Sequence, residues 1–399
     1  MNLLTKAGAV TRGVAPEVCS VRIALVSSGY APVVGGLEKV SHELARAWKE
    51  AGHEVRVITN RSSRTLLSHE EIEGISVSRR YFPGEFPPLS LIPFLKFLAQ
   101  CFLFPEALFF LWNALDPRMT DVVSIHYVGP PAWWAVLVSK WRSIPIVVTL
   151  HGSDLLSEPR RSYLKRLALQ KVLEKADGIS TVSHFMLREI ENFSPSVHCK
   201  AVVISNGFDP SELENVQAAP ARRPYGLCVG RLNRQKRPDL LLDAFETLGP
   251  SDPGFDLVFL GDGPATKVLL EKAGASSLSQ YISFRGNLPH QQVLSLMKSA
   301  SFLVIPSEFE AFGLAALEAR ALCRPIVAFK KGALPEALAT YHGVTWVEQE
   351  TPQALAQGMA AVMHSRDVIP ETVPFFDRWE TAAQNYIDLF SKYVKGPKR

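Results

Sequence analysis

Two short segments in the second half of the chain combine cations and carboxylates at spacings that suit a diphosphate and its attachments. In G-R-L-N-R-Q-K-R-P (Gly230–Pro238), Arg231 sits just past an apolar run, and Lys236 follows five residues on at the start of a helical pattern. An arginine can clamp a phosphate with two parallel N–H donors, and a lysine can add a point charge. Together they can neutralise a diphosphate without a metal; the plainer alternative is two solvated surface cations. In P-S-E-F-E-A-F-G-L-A-A-L-E (Pro306–Glu318), Glu310 and Glu318 lie eight residues apart across a strand, a loop and a helix. The N–H groups of Phe312, Gly313 and Leu314 would open that helix, which suits an oxyanion or a sugar hydroxyl. A carboxylate accepting two vicinal hydroxyls is a common way to hold a ribose, so Glu318 is a candidate for that role. A solvated helix charge is the alternative.

The first half offers fewer charged candidates. His151, in T-L-H-G-S-D, ends a buried run, and His126 ends another. A lone histidine is usually structural, and both readings stay open on position alone. The loop after the first apolar run is S-S-G-Y-A-P-V-V-G-G-L-E-K-V, with Gly35 and Gly36 at a helix start. It is not G-x-G-x-x-G, which argues against a dinucleotide redox enzyme. Two glycines at a helix N-terminus still let the backbone approach an anion or sugar closely. No D-x-D occurs anywhere in the chain.

These residues must be held by the elements around them. Apolar runs of four to six residues alternate with helical patterns, as expected for a parallel sheet covered on both faces. In the first half the runs are Val21–Val26, Val55–Thr59, Asp121–His126, Ile144–Leu150, Gly178–Val182 and Ala201–Ser205, with a helix over Leu37–Ala51. The alternation restarts with Tyr225–Gly230, Asp256–Gly261, Tyr281–Gly286, Phe302–Ser307, Pro325–Phe329 and Gly343–Val347. The reading is α/β: two Rossmann-like, doubly wound parallel-sheet domains facing each other across a cleft. The expected division is a lead-in over residues 1–20, a domain over 21–205, a linker over 206–224, a second domain over 225–374 and a C-terminal helix over 375–399 that packs back on a domain edge.

Bulk properties are compatible with this. The chain has 399 residues, 47% of them hydrophobic and 21% charged, and a net charge of +4. That is enough for two cores; the mild net charge argues neither for nor against a nucleic-acid partner, and none is expected. Five cysteines (Cys19, Cys101, Cys199, Cys228, Cys323) form no C-x-x-C, which points to free thiols rather than a zinc or disulfide framework. The N-terminus lacks a continuous apolar core, so no signal peptide is read. Phe86–Leu115 is apolar but broken by four prolines, so it is not expected to span a membrane. Glu158–Lys175, with Arg160, Arg161, Lys165, Arg166 and Lys171, has the pattern of a basic amphipathic helix. Such a helix suits an anionic membrane surface, although a charge run is more often a solvated face.

The tandem of G-R-L-x-x-x-K and E-x-F-G-L-x-x-x-E, in this order and separation, resembles family 4 of the retaining glycosyltransferases, which have the GT-B architecture. The likeness runs from the Gly35–Gly36 loop through T-L-H-G-S-D and V-I-S-N-G-F-D to the C-terminal helix. It implies that Arg231 and Lys236 bind the donor diphosphate, that Glu318 holds the donor ribose and that Glu310 stands beside the transferred sugar. It further implies that the Phe312–Gly313–Leu314 backbone touches sugar and phosphate. By the same resemblance His151 is expected at the sugar ring, Gly36 near the diphosphate, and Asn287 and Leu288 where the nucleobase is read. The chain departs from the family pattern at Arg237 and Ala311, where glycine is common. Neither change removes a charge.

The resemblance implies transfer of a sugar from a nucleoside diphosphate sugar to a hydroxyl of a lipid, lipid-linked glycan or polysaccharide, without a metal or other cofactor. The rivals are a nucleotide-sugar epimerase or glucan synthase on the same architecture, and a non-catalytic homologue. The expected location is cytoplasmic, with peripheral attachment to the inner face of the membrane as an option.

Overall fold

A computed structural model describes residues 20–33, 35–82, 105–157, 162–249, 253–365 and 377–394. The lead-in, residues 86–104 of the Phe86–Leu115 stretch, and Arg160 and Arg161 lie outside the described residues.

The first half forms β1 (Arg22–Ser27), β2 (Glu54–Asn60), β3 (His69–Ile72), β4 (Ile75–Arg80), β5 (Val122–His126), β6 (Ile146–Leu150), β7 (Gly178–Thr181) and β8 (Ala201–Val203). They make one sheet in the order β3-β4-β2-β1-β5-β6-β7-β8. Every neighbouring pair is parallel except β3 with β4. The β3–β4 pair was not read from the sequence. Its residues, H-E-E-I and I-S-V-S-R-R, are mostly polar and only partly buried, which suits the sheet edge. Arg79 is nonetheless fully buried there, and its guanidinium is held by Glu70 and the Ala31 carbonyl.

The second half forms β9 (Tyr225–Val229), β10 (Asp256–Leu260), β11 (Ile282–Phe284), β12 (Phe302–Ile305), β13 (Ile326–Phe329) and β14 (Val344–Val347). This is a fully parallel sheet in the order β11-β10-β9-β12-β13-β14.

Each sheet is apolar on both faces because helices cover both. In the first, the helix Gly36–Glu50 buries Val40, Leu44, Ala45 and Trp48 at helical spacing. The C-terminal helix Trp379–Ser391 returns to the same face, where Tyr386 and Phe390 meet Trp48 at ring-centroid distances of 5.6 and 5.7 Å. Helix 105–114 and the helices Pro130–Trp141 and Tyr163–Lys175 bury Leu111, Ala135 and Leu173 in the core of the opposite face.

In open parallel sheets, loops at the carboxyl ends diverge where the strand order reverses, which opens a crevice for ligands. That point lies between β1 and β5 in the first sheet and between β9 and β12 in the second. The candidate residues Gly36, Arg231, Lys236 and Glu310 all follow one of these four strands.

Candidate active site

Lys236 is set by a tight turn. The Asn233 side chain accepts from the Lys236 N–H at 3.1 Å, closing the single 3-10 turn Arg234–Lys236. Arg237 then takes a left-handed conformation at φ 49°, which lets Pro238 begin the next helix. Lys236 Nζ reaches Glu310 Oε1 at 2.6 Å. The Ser307 hydroxyl donates to the same oxygen at 2.6 Å. The Ala333 N–H holds the Glu310 carbonyl at 2.7 Å, so loop, backbone and carboxylate are all fixed. Gly313, at φ 88°, turns the chain into the helix Leu314–Ala321; a side chain at that dihedral would be strained. The N–H groups of Phe312, Gly313 and Leu314 have no hydrogen-bond partner among the described residues, so they remain open to a ligand.

Glu318 is not the solvated helix charge its spacing allowed. It is 6% exposed and lies against a cluster drawn from three other elements. Lys39 Nζ is 3.9 Å and His290 Nε2 3.7 Å from its Oε1. Both side chains also contact Glu212 Oε2, at 2.7 and 2.9 Å. Burial pushes the Glu318 carboxyl up, against the opposing charges of Lys39 and His290. Burial also acts upward on Glu212, but the His290 hydrogen bond and the Lys39 charge outweigh it and hold it at about 2. Glu212 belongs to the short helix Ser211–Glu214, within the stretch read as a soft linker.

The first domain supplies a wall of neutral imidazoles with a buried carboxylate behind it. The ring of His151 lies against His126, with Nε2 3.1 Å from His126 Nδ1. Burial lowers both, His151 to about 4, so both rings are neutral at pH 7. The Asp154 carboxylate, 2% exposed, clamps the turn by accepting from the N–H groups of Gly152 at 2.8 Å and His151 at 3.2 Å. Burial raises Asp154 to about 6, against those bonds.

The halves are in contact. Phe309 and Ala311 are buried in the core of the first domain, and Phe312 packs against it. Ser183 Oγ donates to the Ala311 carbonyl at 2.6 Å. The N–H groups of His184 and Phe185 donate to Glu336 at 2.9 and 3.2 Å. A Cβ on Gly36 would stand 3.6 Å from Leu314, so the first-domain glycine faces the helix that carries Glu318. The loop before Gly36 already holds a carboxylate: Glu38 sits against Gly29 and Gly35, raised by burial, with the Arg231 charge opposing.

The fold thus brings together Lys236, Glu310 and the Phe312–Leu314 backbone, and places Glu318, Gly36 and His151 around them. Arg231 is exposed and makes no ion pair among the described residues, while Asn287 is exposed beside the partly buried Leu288. His290 follows two residues after Leu288, which ties that loop to Glu318. Sequence reading missed Lys39, Glu38, Glu212, His290 and Asp154. Only Asp154 carried a local signal, as an acid three residues after His151 at a helix start. A cavity of about 190 Å³ lies beside this constellation and is lined by Asn206, Phe312, Arg320, Glu336 and Asp377, among other residues.

Comparison with known proteins agrees with this architecture. Residues 34–212 match the model for Glycosyltransferase Family 4, and residues 210–384 match that for Glycosyl transferases group 1. A glycogen synthase of Mycobacterium tuberculosis is 30% identical over 364 residues, covering 86% of this chain and 85% of that protein. The chain therefore belongs to glycosyltransferase family 4, the group 1 glycosyl transferases, and is a glycosyltransferase enzyme. Its GT-B fold is shared with sucrose-phosphate synthase from Thermosynechococcus elongatus (TM-score 0.69, 20% identity, 93% of this chain and 98% of that one). It is also shared with HepE of Anabaena, solved in complex with UDP-glucose (TM-score 0.63, 18% identity, 94% and 95%).

Proposed function

We propose that this enzyme moves a hexosyl group from a nucleoside diphosphate sugar to an acceptor hydroxyl with retention of anomeric configuration. The observation that carries the reading is the Lys236–Glu310 pair at 2.6 Å beside the open N–H groups of Phe312, Gly313 and Leu314. Arg231 and Lys236 take the donor diphosphate. Glu318 takes the ribose hydroxyls, displacing Lys39 and His290 from its carboxylate. Asn287 and Leu288 read the base. Gly36 closes over the diphosphate, and His151 lines the sugar. The complex of HepE with UDP-glucose supports a nucleotide-sugar donor.

In the reaction, the bond from the anomeric carbon to the phosphate oxygen breaks and a bond to the acceptor oxygen forms on the same face. The acceptor proton passes to the departing phosphate oxygen. Negative charge grows on the diphosphate, where Lys236, Arg231 and the N–H groups at Gly313 and Leu314 stabilise it. No metal is needed for that stabilisation. Glu310 is a poor nucleophile in this scheme, since its Oε1 is already taken by Lys236 and Ser307.

A lipid or lipid-linked acceptor is the reading we favour. Exposed Phe109, Trp112, Trp141 and Tyr163 stand on the outer side of three helices that share one core, with Arg142 stacked on Trp112 at 4.1 Å and Lys165, Arg166 and Lys171 nearby in sequence. Exposed aromatic side chains with basic ones near them in sequence suit peripheral binding to an anionic bilayer at its cytoplasmic surface. No helix among the described residues is long and apolar enough to cross a membrane. The likeness to a glycogen synthase keeps a glucan acceptor as the second reading.

A thermal-shift screen with UDP, GDP, ADP and their sugars identifies the donor, because a ligand of the native state raises Tm by mass action. Product analysis with that donor follows. Arg231→Ala should lower turnover strongly; near-wild-type turnover with every donor removes the electrostatic account. Failure to float with anionic liposomes removes the membrane reading.

A further inference from the structure

Two buried polar side chains, Ser124 and His126, stand in line behind His151 of the sugar wall. Ser124 Oγ lies 3.2 Å from His126 Nε2, and His126 Nδ1 lies 3.1 Å from His151 Nε2. Ser124 and His126 are both 0% exposed. The His126 ring cannot swing, because Tyr386 packs against it at 5.5 Å and Trp48 meets it at 6.3 Å. Tyr386 is itself anchored through its hydroxyl to Thr149 at 3.1 Å and Ser180 at 3.4 Å.

Counting protons along this line separates two arrangements. Both rings are neutral, so each carries one N–H. In the first arrangement Ser124 donates to His126 Nε2, His126 Nδ1–H donates to His151 Nε2, and His151 carries its proton on Nδ1. In the second every bond reverses: His151 Nε2–H donates to His126, and His126 Nε2–H donates to Ser124. The serine hydrogen then needs another acceptor, and Ser124 Oγ has no other partner among the described residues. A buried hydroxyl left without an acceptor is costly, which favours the first arrangement.

The geometry points to His126 as a positioning residue: with Ser124 behind it, His126 holds His151 in the Nδ1–H tautomer. The nitrogen left for the cleft is then a hydrogen-bond donor to an oxygen of the transferred sugar. His151 Nδ1 has no partner among the described residues, as a nitrogen reserved for a ligand should. A buried second histidine orienting the first follows the general rule that the partner of one ring nitrogen sets the state of the other. The role rests on the reading of His151 as part of the sugar site.

The test is a long-range proton–nitrogen correlation spectrum of the full chain labelled in its histidine rings, with His151 assigned by its loss in His151→Gln. The wild type should show His151 protonated on Nδ1 and bare at Nε2. In His126→Leu the tautomers should mix, and kcat should fall about 10-fold with little change in donor KM. His126→Asn, whose amide can donate to His151 Nε2, should recover most of that loss. A wild-type His151 protonated on Nε2 overturns the relay without reference to any variant, and so do Asn and Leu variants that are equally slow. If the nucleotide sugar that raises Tm in the UDP, GDP and ADP screen leaves the His151 resonances unmoved at saturation, His151 is out of the sugar site and the proposed role ends. The tautomer measured without ligand tells that failure from a failure of the relay.

Discussion

The two walls of the site solve the same problem with opposite electrostatics. The second-domain wall is ionic: Lys236 pairs with Glu310, and Glu318 lies among Lys39, His290 and Glu212. The first-domain wall presents imidazoles kept neutral by burial, His126 and His151, and the Asp154 carboxylate behind them is spent on the backbone N–H groups of its own turn. On the proposed reading the difference follows the reaction. Charge develops on the diphosphate and must be met by preorganised charge, whereas the sugar ring needs fixed hydrogen bonds and shape. A cation on the sugar side would add nothing to phosphate departure and would oppose an oxocarbenium-like centre.

The largest expected effect is at the ionic wall. Lys236→Ala should lower kcat/KM by about 10²–10³-fold, while His151→Gln on the neutral wall should cost about 10-fold, the loss of one oriented hydrogen bond. Lys236→Ala also leaves Glu310, 6% exposed, with only Ser307 on its carboxylate, so Tm should fall as well. Steady-state kinetics of the two variants with one donor make the comparison. Equal losses would break it.

Glu318→Gln keeps the shape and removes the charge that faces Lys39 and His290. Donor KM should rise about 10-fold with a smaller change in kcat, because a charge-assisted hydrogen bond to the ribose is lost in ground and transition states alike. An unchanged KM would detach this carboxylate from the donor.

How much of this was legible beforehand depends on sequence distance. The strands of both sheets showed as continuous Val, Ile and Leu runs because both faces are covered. Arg231, Lys236 and Glu310 stood out because each follows a strand directly. The β3–β4 pair was hidden, since seven of its ten residues are polar and Arg79 is buried only by virtue of Glu70 and a distant carbonyl. The Lys39–Glu212–His290–Glu318 cluster was hidden for a different reason. Its four members come from separate elements in two domains and the segment between them, and no local pattern registers a contact between positions 39 and 318. The burial of Glu318 arises from domain closure, which residue spacing on one helix cannot report.

The point where the walls touch gives the next prediction. Gly152 has φ 123°, and a Cβ there would lie 2.6 Å from Ala311 Cβ. Gly152→Ala should destabilise by about 2 kcal/mol, from backbone strain and the clash together. Adding Ala311→Gly should recover the clash but not the strain, so the two changes will not be additive in chemical denaturation. Additive losses would mean that the walls are not in contact in solution.

Acid should unfold the two walls in different windows. His151 falls from an ordinary 6.5 to about 4 in the fold, so the unfolded chain binds more protons between those values. Its contribution is intact above pH 6.5 and is lost as pH falls toward 4. His126 acts in the same direction. Asp154, raised from 3.8 to about 6, acts oppositely: its contribution is present below 3.8 and is lost as pH rises through 6. Glu212, lowered from 4.5 to about 2, contributes above 4.5 and loses that contribution as pH falls to 2. Two histidines against one aspartate should give a net fall in Tm from pH 6.5 to 4. His151→Gln should flatten that arm and leave the lower one. An arm that survives unchanged would mean that the histidine is not buried as a neutral ring.

The smallest effect belongs to Arg237, where glycine is common in the family. The position needs a left-handed backbone, and Arg237 adopts φ 49°. That conformation costs a side-chain-bearing residue about 1 kcal/mol. Two contacts offset it: an ion pair with Glu350, and the guanidinium over the Phe329 ring at 5.6 Å. Both groups of the pair are partly exposed, so the pair contributes less than about 1 kcal/mol. Glu350 keeps Lys331 if the arginine is removed. Arg237→Gly gains the backbone relief, loses these contacts, and adds about 0.5–1 kcal/mol of unfolded-chain entropy to be ordered. The sum is close to zero. Tm at low salt should therefore move by no more than a degree or two, and its dependence on salt should weaken. Lys236 remains fixed by Asn233, so donor KM should not change. A large rise in KM would show that the turn, and not the Asn233 cap alone, aims the lysine at the diphosphate.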